Sequence, residues 1–158
     1  MLSLGKYSFG IGDRFAQQGN AQLKAFLMAK EAGIDVTPVW NKSNREHQII
    51  YSEPSDTRFE ADFAVGHSNW KGGYFVDADH INLRNVDRFI DPSDFFTIDV
   101  ADYIGKSSDH ESVLQFIEDH KKYLGDLTIN GIPGSFPVNR DMLQKIAEKF
   151  LFATTEAS

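Results

Sequence analysis

Segments rich in β-branched and aromatic residues alternate with segments of helical spacing along this chain, and that alternation limits the fold more than any other feature. Tyr7 to Gly12 reads as a short strand entering a glycine-permissive turn. Leu23, Phe26 and Leu27 give Ala16 to Ala32 a helical period, with Gly33 placed to end it. Ile34 to Trp40 reads as a second strand, although Pro38 removes a ladder donor, and the polar run Asn41 to His47 reads as its exit loop. A helix over Pro54 to Val65 precedes a third strand, Gly73 to His80. A short helical connection, Leu83 to Phe89, leads to a fourth strand, Asp94 to Tyr103. Helices over Ser112 to Leu124 and from an Asn139 cap through Leu151 complete the reading, with Gly131 to Pro137 as loop between them.

Parallel strands need crossover helices, so these repeating units predict an α/β fold with a mostly parallel sheet. The strands fit the first half of a TIM-type (β/α)8 barrel, which usually takes about 250 residues in full. They also fit a small open doubly wound sheet. The 158 residues read as one α/β domain spanning 1–158. Both architectures place ligands at the C-terminal ends of strands, where this chain concentrates its unusual polar residues.

Composition removes several classes of function. With no cysteine, a thiol nucleophile, a disulfide scaffold and a Cys-ligated zinc are excluded. Sixteen basic against 23 acidic residues give a net charge of −7, which offers no basic footprint for nucleic acid or anionic lipid. No run of 18 apolar residues suggests a membrane span, and the N-terminus has no signal-peptide pattern. The expectation is a cytoplasmic protein that binds neither nucleic acid nor membrane.

Gly10-Ile11-Gly12-Asp13-Arg14 can offer backbone amides and a guanidinium to a carboxylate or phosphate, or can be a tight turn with Asp13 as a helix cap. Phe15 stands where a dinucleotide fingerprint needs its third glycine. The run through Asn41, Lys42 and Arg45 mixes donors and acceptors suited to a hydroxyl-rich ligand, as ordinary polar loops also do; His47 reads as a surface histidine. Asp77-Ala78-Asp79-His80 is the most informative stretch. Alternation puts Asp77 and Asp79 on one side of the strand, with His80 turning away or entering the loop. Carboxylates and an imidazole are what Zn²⁺, Mn²⁺, Ni²⁺ or Co²⁺ accept without cysteine. Asp99 and Asp102 repeat the theme after the next strand, while His67, His110 and His120 read as structural or solvated.

Taken in order, Ser8 to Arg14, Asp77 to His80, and Phe96 to Asp99 with Asp102 resemble the tagaturonate epimerases, over about Tyr7 to Gly105 and more weakly beyond. The resemblance implies a metal-dependent hexuronate epimerase on a barrel, interconverting tagaturonate and fructuronate. It implies Asp79, Asp99 and Asp102 in acid/base work and His80 with Asp79 near a divalent metal. Asp13, Arg14, Asn41, Lys42 and Arg45 would bind the sugar acid. Members of that family are much longer and carry further acidic and histidine motifs, so this chain is expected to be a truncated N-terminal half. Its exposed sheet edges are expected to make it a homo-oligomer.

With the ketone counted as C2, the two ketoses differ at C4, whose hydrogen the carbonyl does not acidify. Inversion then needs retro-aldol cleavage and re-addition, or transient oxidation by a nicotinamide. The incomplete dinucleotide fingerprint favours the retro-aldol route. Another metal-dependent sugar isomerase, or a non-catalytic sugar-acid-binding or interaction module, are the alternatives.

Overall fold

The computed structural model describes residues 4–158. It divides into a first compact unit ending at Asp99 and a second running Val100–Ser158. The first contains four strands, β1 (Ser8–Gly12), β2 (Thr37–Ser43), β3 (Phe75–Ile81) and β4 (Phe95–Ile98), all parallel in the order β1-β2-β3-β4. Helices α1 (Gly19–Glu31), α2 (Asn44–Ile50) and α3 (Pro54–Gly66) lie between the first three strands in sequence. The α/β class and the parallel sheet are therefore as the alternation predicted.

Register sorts the strand residues onto two faces. Ile11, Trp40 and Val76 are in register, and they join Leu23 and Phe26 of α1 and Ala61 and Ala64 of α3 in one buried cluster. Trp70 closes this core, meeting Phe26 edge-on at 6.3 Å and donating from Nε1 to the Gly73 carbonyl. The second face is apolar at one end, with Val39, Phe75 and Phe95, and turns polar toward the strand ends. There Gly12, Asn41 and Asp77 are in register, followed by Ser43 and Asp79.

Two boundaries differ from expectation. β2 begins at Thr37 and runs on through Asn41, Lys42 and Ser43, the residues expected in a loop. Pro38 is tolerated because Thr37 donates to the Tyr7 carbonyl on the β1 side, and pairing with β3 starts only at Val39. α2 then starts at once, because Ser43 and Glu46 form a reciprocal capping box: the Glu46 amide donates to Ser43 Oγ, and the Ser43 amide to Glu46 Oε2. β4 is also shorter than predicted. It ends at Ile98, and Ala101–Tyr103 forms a 3₁₀ turn.

The second unit holds α4 (His110–Asp119), a hairpin of β5 (Gly125–Leu127) with β6 (Phe136–Val138), and α5 (Arg140–Glu156). Val113 and Ile117 of α4 bury against Leu143 and Ala147 of α5. Asn139 caps α5 by accepting from the Met142 amide at 2.8 Å. The hairpin is antiparallel, and its second strand includes Pro137, which was expected in a loop. Among the described residues no helix is long and apolar enough to cross a membrane.

Candidate functional site

The C-terminal ends of β2, β3 and β4 meet at a recess of about 400 Å³ lined by Ser43, Asn44, Arg45, Glu46, Asp79, His80, Asn82, Asn85 and Asp99. Its chemistry centres on the end of β3. The register between β3 and β4 shifts between Ala78 and Ile81, a bulge, and His80 there adopts a left-handed backbone with φ of +53°. That departure from the pleat turns the imidazole back toward its neighbour: His80 Nδ1 lies 2.8 Å from Asp79 Oδ1. The ring stays exposed, and Asp79 is half-buried beneath it. Asp99 joins from the end of β4, where its backbone amide donates to the Ile81 carbonyl at 2.7 Å. Arg45 is exposed in the first turn of α2.

The walls are fixed by polar links. Arg88 donates from Nη1 to Asn44 Oδ1 and from Nη2 to Glu53 Oε2, both at 2.8 Å, tying the connection after β3 to the starts of α2 and α3. Asn85 Oδ1 accepts from the Asn82 amide, and Asn82 Oδ1 from the Arg84 amide, so the connection is a self-bonded turn. Burial opposes ionisation of Glu46, but hydrogen bonds from the Ser43 amide and hydroxyl, with the charges of Arg14 and Lys42, outweigh it and hold the carboxyl below its usual range.

The other predicted residues take different places. Asp13 holds the turn after β1. The amide of Phe15 donates to its Oδ1 at 3.0 Å, and those of Gln17 and Gln18 to its Oδ2 at 2.6 Å. Burial opposes its ionisation, yet these three amides and the Lys42 charge draw its pKa down. α1 itself starts later, at Gly19. Arg14 is exposed, within electrostatic reach of Glu46. Asn41 lies on the second face in register with Gly12 and Asp77. Lys42 points to the opposite, helix-packed face and is 2% exposed, so in this fold it is a core ammonium without contact to the recess. Asp102 belongs to the second unit, in the 3₁₀ turn Ala101–Tyr103. The structure thus brings together Arg45, Asp79, His80 and Asp99.

Several contributors escaped the sequence reading. Ser43 and Glu46 carry a Ser-x-x-Glu signature that a capping-box search would find. Asn82 and Asn85 left only a diffuse turn signal. Asp77 was noticed but given no role. It is 7% exposed, and its Oδ2 accepts from Thr97 Oγ1 at 2.8 Å. Burial pushes its carboxyl up; the Thr97 hydroxyl opposes this, while the neighbouring Asp79 adds to it. His47, read as a surface residue, is 1% exposed.

A metal is the group that the resemblance implies, and the donors fit it in part. An imidazole oriented by an adjacent carboxylate, with Nε2 turned outward, is the usual arrangement of a metal-ligating histidine. Among the described residues, however, no group of three His, Cys, Asp or Glu side chains stands close enough to enclose an ion. His80 and Asp79 would therefore need ligands from outside this segment.

Comparison with known proteins follows the same direction as this geometry. A family model described as tagaturonate epimerase matches residues 1–130. The native crystal structure of fructuronate-tagaturonate epimerase UxaE from Cohnella laeviribosi aligns with a TM-score of 0.73 at 18% identity, covering 98% of this chain and 34% of that one. Its complex with two glycerols aligns at 0.72 and 19% identity, with the same coverage. The one-glycerol complex aligns at 0.70 and 19%, covering 94% and 32%. At such identity the likeness is one of fold, and this chain spans about a third of the length of those structures. No match was found among curated protein sequences.

Proposed function

The chain belongs to the tagaturonate epimerase family, and from that premise we propose that it forms part of the catalytic barrel of an enzyme interconverting tagaturonate and fructuronate by retro-aldol chemistry. The observation that carries the reading is the convergence of Arg45, Asp79, His80 and Asp99 on one recess at the strand ends. That set offers a guanidinium for the substrate carboxylate and carboxylates for moving a proton, which is what the reaction needs.

The retro-aldol step breaks the C3–C4 bond. A base removes the C4 hydroxyl proton, C4 becomes an aldehyde, and the bonding electrons pass onto the C2–C3 enediolate. Rotation of the aldehyde and re-addition to its other face reform the bond, and the same proton returns to the C4 oxygen. We assign the proton transfer to Asp79 or Asp99, which flank the recess. Arg45 would grip the substrate carboxylate as a bidentate donor, with Arg14 a second cation on the neighbouring connection. Asp13 serves by holding the turn that carries Arg14, and Lys42 by balancing the buried carboxylates around it. A divalent ion such as Zn²⁺, Mn²⁺, Ni²⁺ or Co²⁺, held by His80, Asp79 and ligands from elsewhere, would supply charge stabilisation at the ketone oxygen.

The enzyme is proposed to act in the cytoplasm, and the isolated chain, whose β1 and β4 have no strand partner on their outer sides among the described residues, is proposed to form a multimer. The test is turnover of tagaturonate, with metal analysis on the same preparation, by the assembled barrel that contains this chain. Epimerisation lost in Asp79→Ala and Asp99→Ala supports the reading. Hexuronate binding without turnover would instead identify a binding module, and neither binding nor turnover would refute both.

A further inference from the structure

The recess is not the whole polar surface of the second face. Below it, toward the middle of the sheet, a row of side chains crosses the strands: Gly12 on β1, Asn41 on β2, Asp77 on β3 and Thr97 on β4. Thr97 stands two residues beyond Phe95, the register partner of Asp77, and so shares its face. The row has a built character. A Cβ on Gly12 would lie 3.1 Å from Asn41 Oδ1, so the glycine leaves the space into which the Asn41 amide extends. Asp77 is buried, and one of its oxygens, Oδ1, has no hydrogen-bond partner among the described residues. Its other oxygen accepts the Thr97 hydroxyl proton at 2.8 Å. Thr97 itself is exposed.

The consequence follows from what a hydroxyl can do. It has one proton and two lone pairs, and the Thr97 proton is committed to Asp77. What Thr97 presents outward is then a fixed acceptor with its rotamer held from behind, where a free threonine would offer a rotating donor. Two strands away on the same face, Asn41 carries an amide with both donors and an acceptor. A fixed acceptor on β4 and an amide on β2 of the same face suit separate hydroxyls of a polyol chain.

We infer that Thr97, oriented by Asp77, is a further substrate-binding residue that accepts a hydrogen bond from a hydroxyl of the sugar acid. This rests on the hexuronate reading above and adds a contact outside the recess. Asp77 acts here through Thr97 and is a positioning residue.

The experiment compares the full chain with its Thr97→Val, Thr97→Ser and Asp77→Ala variants. Binding of tagaturonate is measured by calorimetry, and the Thr97 side-chain rotamer by three-bond scalar couplings in the ligand-free protein. Thr97→Val keeps the shape of an exposed residue, so the fold should persist; it is expected to weaken binding about 3- to 10-fold, the value of one hydrogen bond. Thr97→Ser should restore most of that loss. The couplings should show a single rotamer in the wild type and averaging in Asp77→Ala. Equal affinity of wild type and Thr97→Val, or an averaged rotamer in the wild type, would overturn the inference while leaving the hexuronate reading intact. A wild type that binds no hexuronate would overturn both.

Discussion

Acid should weaken the first unit through His47. The ring is 1% exposed, its Nδ1 lies 2.8 Å from Ser52 Oγ, and Phe89 packs on it with centroids 5.8 Å apart. Burial first, then the charges of Lys42 and Arg88, lower its pKa from 6.5 to about 4. Because the folded value lies below the unfolded one, the unfolded chain takes the proton first. The stability held by neutral His47 is therefore complete above about pH 6.5 and is lost as the pH falls toward 4. Those two values give a loss of about 2 kcal/mol between pH ~7 and pH ~5. Glu60 and Asp77, both raised by burial, contribute with the opposite sign, so the wild type alone would mix the effects. The difference between wild type and His47→Gln isolates the one group. Urea unfolding followed by tryptophan fluorescence suits the measurement, since Trp40 and Trp70 are the chain's two tryptophans and both are buried in the first unit. The stability gap between the two proteins should move by about 2 kcal/mol against the wild type from pH ~7 to pH ~5. A gap constant across that range would refute the reasoning.

Other perturbations test other parts of the frame. Ser43→Ala removes the hydroxyl half of the capping box, while the amide at position 43 can still donate to Glu46, and should cost about 1 kcal/mol in urea unfolding, with loss of helical signal from α2. Arg58 donates to Asp94 at 2.6 Å and to the Pro92 carbonyl at 2.9 Å, while Asp94 also accepts from the Val76 amide. Arg58→Ala should lower the unfolding midpoint by an amount worth about 2 kcal/mol, the value of a charge-assisted bond. His80→Gly should be more stable than His80→Ala by about 1 kcal/mol, because only glycine takes φ of +53° without cost; equal stability of the two would remove the claim of backbone strain. Light scattering on the isolated chain should show a dimer or larger species, and a monomer would count against edge pairing.

What the sequence made legible follows from which physical signals are local. Strand–helix alternation is local, and it led to the right class and to four parallel strands because crossover helices leave few other topologies. Helix α3 was read from Pro54 nearly to its end because proline at the first position and the Phe59 and Phe63 spacing act within single turns. The end of β2 was missed for the opposite reason. Asn41, Lys42 and Ser43 look like loop until β3 is known to pair with all three and β1 with Asn41, and that pairing is nonlocal. The same gap misled the reading of Lys42: alternation within a strand sends it to the helix face, while a loop residue would have been free to reach a ligand. The β5–β6 hairpin was missed because each strand has three residues, too few to show a period.

The site illustrates a different limit. Asp79 and His80 were found from residue type, but strict alternation would have put them on opposite faces of β3. The bulge changes this, and its signature is a backbone angle that histidine rarely adopts, so nothing in the composition announces it. A non-glycine residue in the left-handed region costs about 1 kcal/mol or more, and bulges recur where a side chain must be re-aimed beside a functional site. Here both coincide at the residue whose ring meets the Asp79 carboxylate at the edge of the recess. The strain and the pairing are therefore one feature: the chain leaves the pleat at the point where keeping it would separate the carboxylate from the imidazole.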